Sequence, residues 1–409
     1  MEQSPLKVYA YRWVILAIFM VVVAVNQLLW ITFAPITSLA AGYYKVSDIS
    51  IGLLSMIFMI VYIIISIPAS WVIDTYGIRA GIGIGAVLTG VFGMLRGIYA
   101  SNYNMVVISQ IGIAIGQPLI LNAITSLAAR WFPIHERATA SGLGTLAMYL
   151  GIVAGMTLTP YITLQSGMAG MLNRYGIVSL VSAIIFFLLF KEKPPTAPYR
   201  PDQEERSLVL EGLKQMLHKR NFIWLMLIFF IGLGVFNSVA TWIEDIIRPR
   251  GFSVTQAGVT GGIMIAGGIL GALIIPILSD HYRKRIPFII IALAGTIIGL
   301  AGITFITGYT LLIVSAFLMG FFLLSAGPIG FQYGAEIAFP ASEGMSNGLL
   351  LLMGQISGIV FIVVMDIMKS PVNGSMTLPL VALIILMGLG LFFSTFLKES
   401  DMLSSNKQN

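Results

Sequence analysis

The chain has no cysteine among its 409 residues, so disulfides, thiol catalysis and cysteine-held iron–sulfur clusters are excluded. Histidine is scarce as well. His135, His218 and His281 all sit in polar segments, which leaves none in an apolar stretch to ligate a haem iron. Charge is the third shortage: Asp, Glu, Lys and Arg make up 10% of the chain, against ~25% in an average soluble protein. A soluble helical core cannot cover that much apolar surface. Phosphate-cradle and zinc-protease motifs are missing too, with no G-x-x-x-x-G-K-[ST] and no H-E-x-x-H. The chain therefore reads as a non-enzyme with no cofactor and no metal. Its net charge of +6 is not gathered into a basic patch with a reader motif, so nucleic acid is not an expected partner.

What is present is a series of long, nearly uncharged runs. Twelve recur, near 13–35, 51–73, 78–99, 104–129, 138–163, 171–190, 222–246, 256–279, 287–307, 309–335, 343–367 and 376–397. Each is about the ~20 residues that cross ~30 Å of hydrocarbon. The expected fold class is an all-α membrane protein of 12 transmembrane helices, numbered span 1 to span 12 in that order. The first run is too long for the apolar core of a signal peptide, so span 1 is expected to stay in place. With the N-terminus inside, seventeen Lys and Arg fall on the inner side and six on the outer. That bias puts both termini and the 191–220 segment in the cytoplasm. The expected location is the cell (plasma) membrane, with lipids as neighbours and a monomer as the working state.

The segment KEKPPTAPYRPDQEERSLVLEGLKQMLHKR separates six spans from six. The expected organisation is a six-helix bundle at 1–190, a cytoplasmic linker at 191–220, a second bundle at 221–397 and a cytoplasmic tail at 398–409. Residues 204–219 read either as an amphipathic helix on the membrane or as a solvated tether. The halves resemble each other at an offset near 206. WVIDTYGIR after span 2 answers ILSDHYRKR after span 8, which sets Asp74 with Arg79 against Asp280 with Arg283, Lys284 and Arg285. WFPIHERATASGLG after span 4 answers AFPASEGMSNGLL after span 10, which aligns Glu136 with Glu343. A carboxylate near a helix end can pair with a basic group or cap a helix N-terminus. Asp74, Arg79, Arg137, Asp280, Arg283, Glu336 and Glu343 are therefore candidate latch or gate residues, with simple topogenic charge as the alternative. Fused repeats place a substrate site near the bilayer midplane between them.

Twelve spans in two halves, with acidic–basic turns after spans 2 and 8, resemble the major facilitator superfamily. The DTYGIR turn keeps Asp74, Gly77 and Arg79 of that family's Gly-x-x-x-Asp-x-x-Gly-Arg-Lys pattern and lacks its leading Gly and its Lys. A second resemblance rests on RWVILAIFMVVVAVNQLLWITF in span 1, GQPLIL with AARWFPIHERATA around span 4, and AEIAFPASEGMSNGLLLLMGQISGI around spans 10 and 11. These are similar to the feline leukaemia virus subgroup C receptor-related family, which is associated with choline and ethanolamine transport and, historically, haem export. The resemblance implies a secondary transporter that rocks 1–190 against 221–397. Its cargo would be a small polar, cationic amine, moved as by a uniporter. Few ionisable groups lie in the spans, so protons are an optional partner.

The candidate site residues follow. GQPLILN puts Gln117 near the bilayer centre, beside Pro118, which removes a backbone donor. An amide there serves a small polar solute or an interhelical hydrogen bond worth ~0.6 kcal/mol on average; the resemblance implies the solute. Gln355 in span 11 and Trp30 in span 1 carry over in the same way. Trp30 offers a cation–π face or belongs to the interfacial aromatic belt. Asn26 and Gln27 add amides one turn earlier. In span 7, GVFNSVATWIEDII supplies Asn237, Trp242 and Glu244. Glu244 stands where the family has an uncharged polar residue, and an intramembrane carboxylate is a functional candidate. Interfacial pairing near Arg248 and Arg250 is the alternative. Tyr149 in span 5 and Tyr333 in span 10 complete the set.

Proton-coupled efflux of drugs or metabolites predicts several midplane carboxylates and, by superfamily resemblance, a Gly-Pro-rich motif in span 5, which ASGLGTLAMYLGIVAGMTLTP lacks. Haem transport lacks an intramembrane histidine. Organic anion transport needs an inward cation, for which Arg96 is the candidate. A non-transporting receptor needs a larger soluble domain than the linker. Span 5 also carries Gly142, Gly144, Gly151 and Gly155, and span 8 carries Gly258, Gly261, Gly262, Gly267, Gly268 and Gly271. Small residues at this spacing let helices approach closely. By resemblance spans 5 and 8 face each other across the halves and ease rocking; plain packing is the alternative.

Overall fold

Residues 8–196, 216–339 and 343–400 are described by a computed structural model, which is helical and has no strand among them. Of the 204–219 stretch only residues 216–219 are described, the first three of them helical. Eleven helices among the described residues are long and apolar enough to cross a membrane. One of them, Ile134–Leu189, has 56 residues, which would span ~84 Å if straight at ~1.5 Å per residue. It turns at Gly167, where φ is 70° and ψ 174°, a region glycine enters without steric cost. Its two arms are spans 5 and 6, and all twelve expected spans are thereby found.

The chain divides into two compact units, Met1–Glu205 and Arg206–Asn409. In the first, span 1 runs Tyr11–Ile31 and loosens through a one-turn 3-10 helix at Ala34–Ile36, where Pro35 sits. It resumes as Thr37–Tyr44. Span 2, Asp48–Tyr76, meets span 3, Ile78–Ile98, at Gly77 with φ 94°. Span 4 starts at an Asn102 cap, whose Oδ1 accepts from the Met105 N–H at 3.2 Å. It runs Tyr103–Leu121 and restarts as Ile124–Trp131.

In the second unit, span 7 is Arg220–Thr241, followed across Trp242 by a short helix, Ile243–Ile247. Span 8, Val254–Tyr282, opens on a reciprocal Ser253–Gln256 capping box. Spans 9 to 12 are Ile286–Phe305, Tyr309–Ala338, Glu343–Ile367 and Thr377–Ser394. Each unit has an end face, on which its first and last described residues lie, and a far face opposite.

The packing repeats between units. In the first, span 1 lies on span 5, span 3 on spans 4 and 6, and span 2 on span 4. In the second, span 7 lies on span 11, span 9 on spans 10 and 12, and span 8 on span 10. Adding six to each number converts one set into the other. Glycine makes these seams possible: a Cβ on Gly151 would meet Ala24 O at 2.2 Å, and one on Gly271 would meet Phe321 O at 1.8 Å. Gly151 thus seats span 5 on span 1, and Gly271 seats span 8 on span 10. Both glycines serve packing within their own unit.

Candidate functional site

Amides and one buried cation tie span 1 to its neighbours. Asn26 is fully buried and donates Nδ2 to Thr89 Oγ1 at 3.1 Å and to Ile113 O at 3.4 Å. Gln27 donates Nε2 to Asn26 Oδ1 at 3.4 Å. Trp30, one turn on, donates its indole N–H to Ser55 O at 3.3 Å. Arg96 has no exposed surface and donates to Leu29 O at 3.0 Å, Gln110 Oε1 at 2.8 Å and Thr32 Oγ1 at 3.4 Å. Its guanidinium lies 5.5 Å from the centre of the Phe33 ring. The acceptors are carbonyl, amide and hydroxyl dipoles at the point where span 1 leaves α-helical geometry. A helix C-terminus leaves carbonyls unmatched and carries partial negative charge, so a cation there is favoured. This geometry gives Arg96 a clamping role and removes it from the exposed position that an organic anion would need.

Two amides differ from these. Gln117 and Gln355 make no hydrogen bond with any described residue. Gln117 is 7% exposed and Gln355 is half-buried. The half-buried Tyr149 likewise has no hydrogen-bond partner among the described residues. The other candidates are engaged. Asn237 donates to Gly354 O at 3.1 Å. Trp242 is fully enclosed and donates to Ile362 O at 3.1 Å. Tyr333 is fully enclosed and donates to Lys398 O at 2.6 Å. The first two hold span 7 to span 11, and the third holds span 10 to the chain after span 12. Asn122, five residues past Gln117, accepts from the Tyr62 hydroxyl at 3.0 Å. It donates to Ser66 O and Ser66 Oγ at 3.1 Å each and to Ser70 Oγ at 3.0 Å.

Glu244 belongs to the short helix beyond span 7, on the far face. It is nearly enclosed, and its Oε2 lies 3.5 Å from Arg248 Nη1. Asp245 is fully buried and accepts from Arg248 Nη2 at 2.8 Å and from Lys369 Nζ at 2.6 Å. The two carboxylates therefore face two cations, one of which, Lys369, also lies 6.0 Å from the Trp242 ring centre.

On the end face of the first unit, Glu192 accepts from the Ile78 N–H at 3.2 Å and the Arg79 N–H at 2.6 Å, the first amides of span 3. It also pairs with Arg130. Gly77 makes room, since a Cβ there would meet Glu192 Oε1 at 2.4 Å. The second unit copies the device. Glu399 accepts from the Arg285 and Ile286 N–H groups at 3.1 Å, where span 9 begins. Arg285 also pairs with Asp280 and, at 2.9 Å, with Glu336. Burial pulls the Arg285 guanidinium down, but Asp280 and Glu336 outweigh it and hold the group above its ordinary range.

The acidic–basic turns pair in one half only. Asp74 is exposed without a partner among the described residues, and Arg79 contributes its backbone N–H. Asp280 meets Arg285, while Arg283 turns the chain at φ 50°. Arg137 donates to Ala129 O at 3.1 Å and Phe132 O at 3.3 Å and so closes the end of span 4. Arg12 grips Glu136 through two bonds of 2.9 and 3.1 Å. The Glu343 side chain lies outside the described ones.

The sequence model of the Major Facilitator Superfamily matches residues 19–362. The chain belongs to this superfamily. Among curated relatives, Solute carrier family 49 member A3 of Xenopus tropicalis is 29% identical over 389 residues, covering 90% of this chain and 80% of its own. Choline/ethanolamine transporter FLVCR2 of Rattus norvegicus is 27% identical, covering 88% and 70%. Choline/ethanolamine transporter FLVCR1 of Mus musculus is 29% identical, covering 86% and 68%. Among solved structures, a bacterial homolog of the human lysosomal transporter Spinster, inward-facing and unoccupied, matches with a TM-score of 0.77 at 16% identity, covering 95% and 97%. A D-xylose-proton symporter matches at 0.76 and 18%, covering 96% and 98%. These two show the shared fold.

In this Major Facilitator chain the residues missed from the sequence are Glu192 and Glu399, and within the basic turn after span 8 the partner of Asp280 is Arg285, where Arg283 was singled out. A signal for the two glutamates was present: a Lys-Glu pair follows span 6 at 191–192 and span 12 at 398–399. It falls at the same offset as the other repeat matches.

Proposed function

We propose that this Major Facilitator protein carries a small polar, cationic amine of the choline and ethanolamine class, by alternating access and without obligatory coupling to protons. The observation that carries the reading is the contrast among amides. Asn26, Gln27, Gln110, Asn122 and Asn237 are all engaged, whereas Gln117 and Gln355 are not. Neither amide is among the fully buried polar atoms left unmatched, so both keep hydrogen-bonding capacity that a solute can reach. Glutamine carbonyls accept from an ammonium or a hydroxyl. An indole such as that of Trp30 attracts a quaternary ammonium through its ring face. The relatives named as choline/ethanolamine transporters support the cargo class. Glu244 adds no support for a proton-coupled reading, because Arg248 and the short helix already account for it. Cytoplasmic termini, residence in the plasma membrane and a monomeric state belong to the same proposal.

The test is uptake of labelled choline and ethanolamine into proteoliposomes, with Trp30→Ala, Gln117→Ala and Gln355→Ala beside the parent. Saturable uptake by the parent, reduced at least about tenfold in each variant at equal folded amounts, is expected, a loss of ~1.4 kcal/mol or more. A folded parent that takes up neither amine would overturn the cargo.

A further inference from the structure

Span 4 breaks between Gln117 and the end face. Its regular helix is interrupted between Leu121 and Ile124 by Asn122 and Ala123, whose φ and ψ stay right-handed helical (−70°, −14° and −81°, −9°). Pro118 lacks an amide proton and weakens the helix one turn earlier. In the turn, the Asn122 N–H reaches Pro118 O at 3.0 Å and the Ala123 N–H reaches Ile120 O at 3.3 Å. The Asn122 side chain then binds Tyr62, Ser66 and Ser70, three residues of one face of span 2. The interruption at 122–123, one turn after Pro118, is thus pinned sideways to span 2.

The repeat supplies a comparison within the same molecule. In the register that aligns Glu136 with Glu343, Pro118 and Asn122 fall opposite Ser325 and Ile329 of span 10, and Pro328 and Gln332 stand three residues further on. There the helix runs unbroken over Tyr309–Ala338. Gln332 donates along its own helix to Glu336 at 3.2 Å. A pinned break belongs to span 4 and has no copy in span 10. The segment beyond it, Ile124–Trp131, is held at its end by Arg130–Glu192 and by Arg137.

We propose that Asn122 is a positioning residue for transport. It fixes the break to span 2, so that Ile124–Trp131 swings about residues 122–123 while the Gln117 half of the span keeps its place. The transport readout rests on the proposed cargo; the distance readout does not. Because the chain has no cysteine, introduced cysteines take spin labels without background. One labelled pair, Ile67→Cys with Thr125→Cys, spans the break. A second, Ile60→Cys with Ile111→Cys, lies before it on the same two spans. In nanodiscs without cargo, Asn122→Ala is expected to add a second dipolar-broadening population to the first pair and leave the second pair unchanged.

With choline as probe, Asn122→Ala should lower maximal uptake by about fivefold or more, with KM within about twofold, and Asn122→Gln should restore most of the rate. Unchanged spectra at the first pair would overturn the proposal, as would equal broadening at both pairs. A raised KM at unchanged maximal rate would also overturn it, since that marks Asn122 as a cargo contact. Absence of choline uptake by the parent would fall on the cargo reading and leave the spectra to decide the hinge.

Discussion

Gln110 and Gln117 lie seven residues apart on span 4, two turns on the same helical face, and their surroundings assign them opposite work. The Gln110 carbonyl accepts from the buried Arg96 at 2.8 Å, and its amide donates to Leu54 O at 3.1 Å. Removing it leaves a buried charge short of a partner. Gln110→Ala should therefore cost about 1.5–3 kcal/mol of stability, and Gln117→Ala less than about 0.6 kcal/mol while abolishing amine uptake. Thermal unfolding in detergent, read beside uptake, checks both, and equal loss of stability in the two variants would erase the distinction. Asp245 obeys the logic of Gln110 more strongly because it answers two cations. Asp245→Asn should cost about 3–5 kcal/mol, and adding Lys369→Met should recover part of that, since one stranded charge is then removed. Polar exceptions stand out in apolar runs, which made Gln117 legible as a candidate, and the resemblance added Gln355 and Trp30. The partners that enclose the aromatic candidates were not legible: Trp30, Trp242 and Tyr333 donate to Ser55 O, Ile362 O and Lys398 O, which lie 25, 120 and 65 residues away.

Helices were readable from hydropathy because lipid demands continuous apolar length, and their interruptions were not. The turn at Gly167, the break at 122–123 and the stop at Trp242 all lie inside or beside apolar sequence. Backbone geometry creates them, with no change in polarity to announce them. The glycines of span 5 show the same limit. Spacing marks Gly142 and Gly151 alike, yet a Cβ on Gly151 meets the Ala24 backbone at 2.2 Å and one on Gly142 meets nothing within 4 Å. Backbone cannot move aside as a flexible side chain can. Gly151→Ala should push span 5 off span 1 and lose about 1–3 kcal/mol. Gly142→Ala should be neutral or gain up to about 1 kcal/mol from helix propensity. Parallel unfolding curves decide the matter, and a tolerated Gly151→Ala would refute the proposed seam.

At the scale of the molecule, the buried carboxylates Glu244, Asp245 and Glu336 of the described residues already have cationic neighbours. Glu244 faces Arg248, Asp245 faces Arg248 and Lys369, and Glu336 faces Arg285. A proton-coupled cycle needs a carboxylate that exchanges its partner for a proton and back, and breaking such pairs is costly. A chain that carries a cation alone still has a driving force. Each cargo molecule moves one charge, which is worth ~2.3 kcal/mol per 100 mV, or a roughly 50-fold concentration ratio at ~1.4 kcal/mol per tenfold. In proteoliposomes clamped at about 100 mV, negative inside, choline should approach that ratio. A pH gradient imposed at zero potential should drive no accumulation, and Glu244→Gln should leave both results unchanged. Accumulation driven by the pH gradient alone would defeat the uniport reading and make Glu336 and Glu244 the carboxylates to neutralise next.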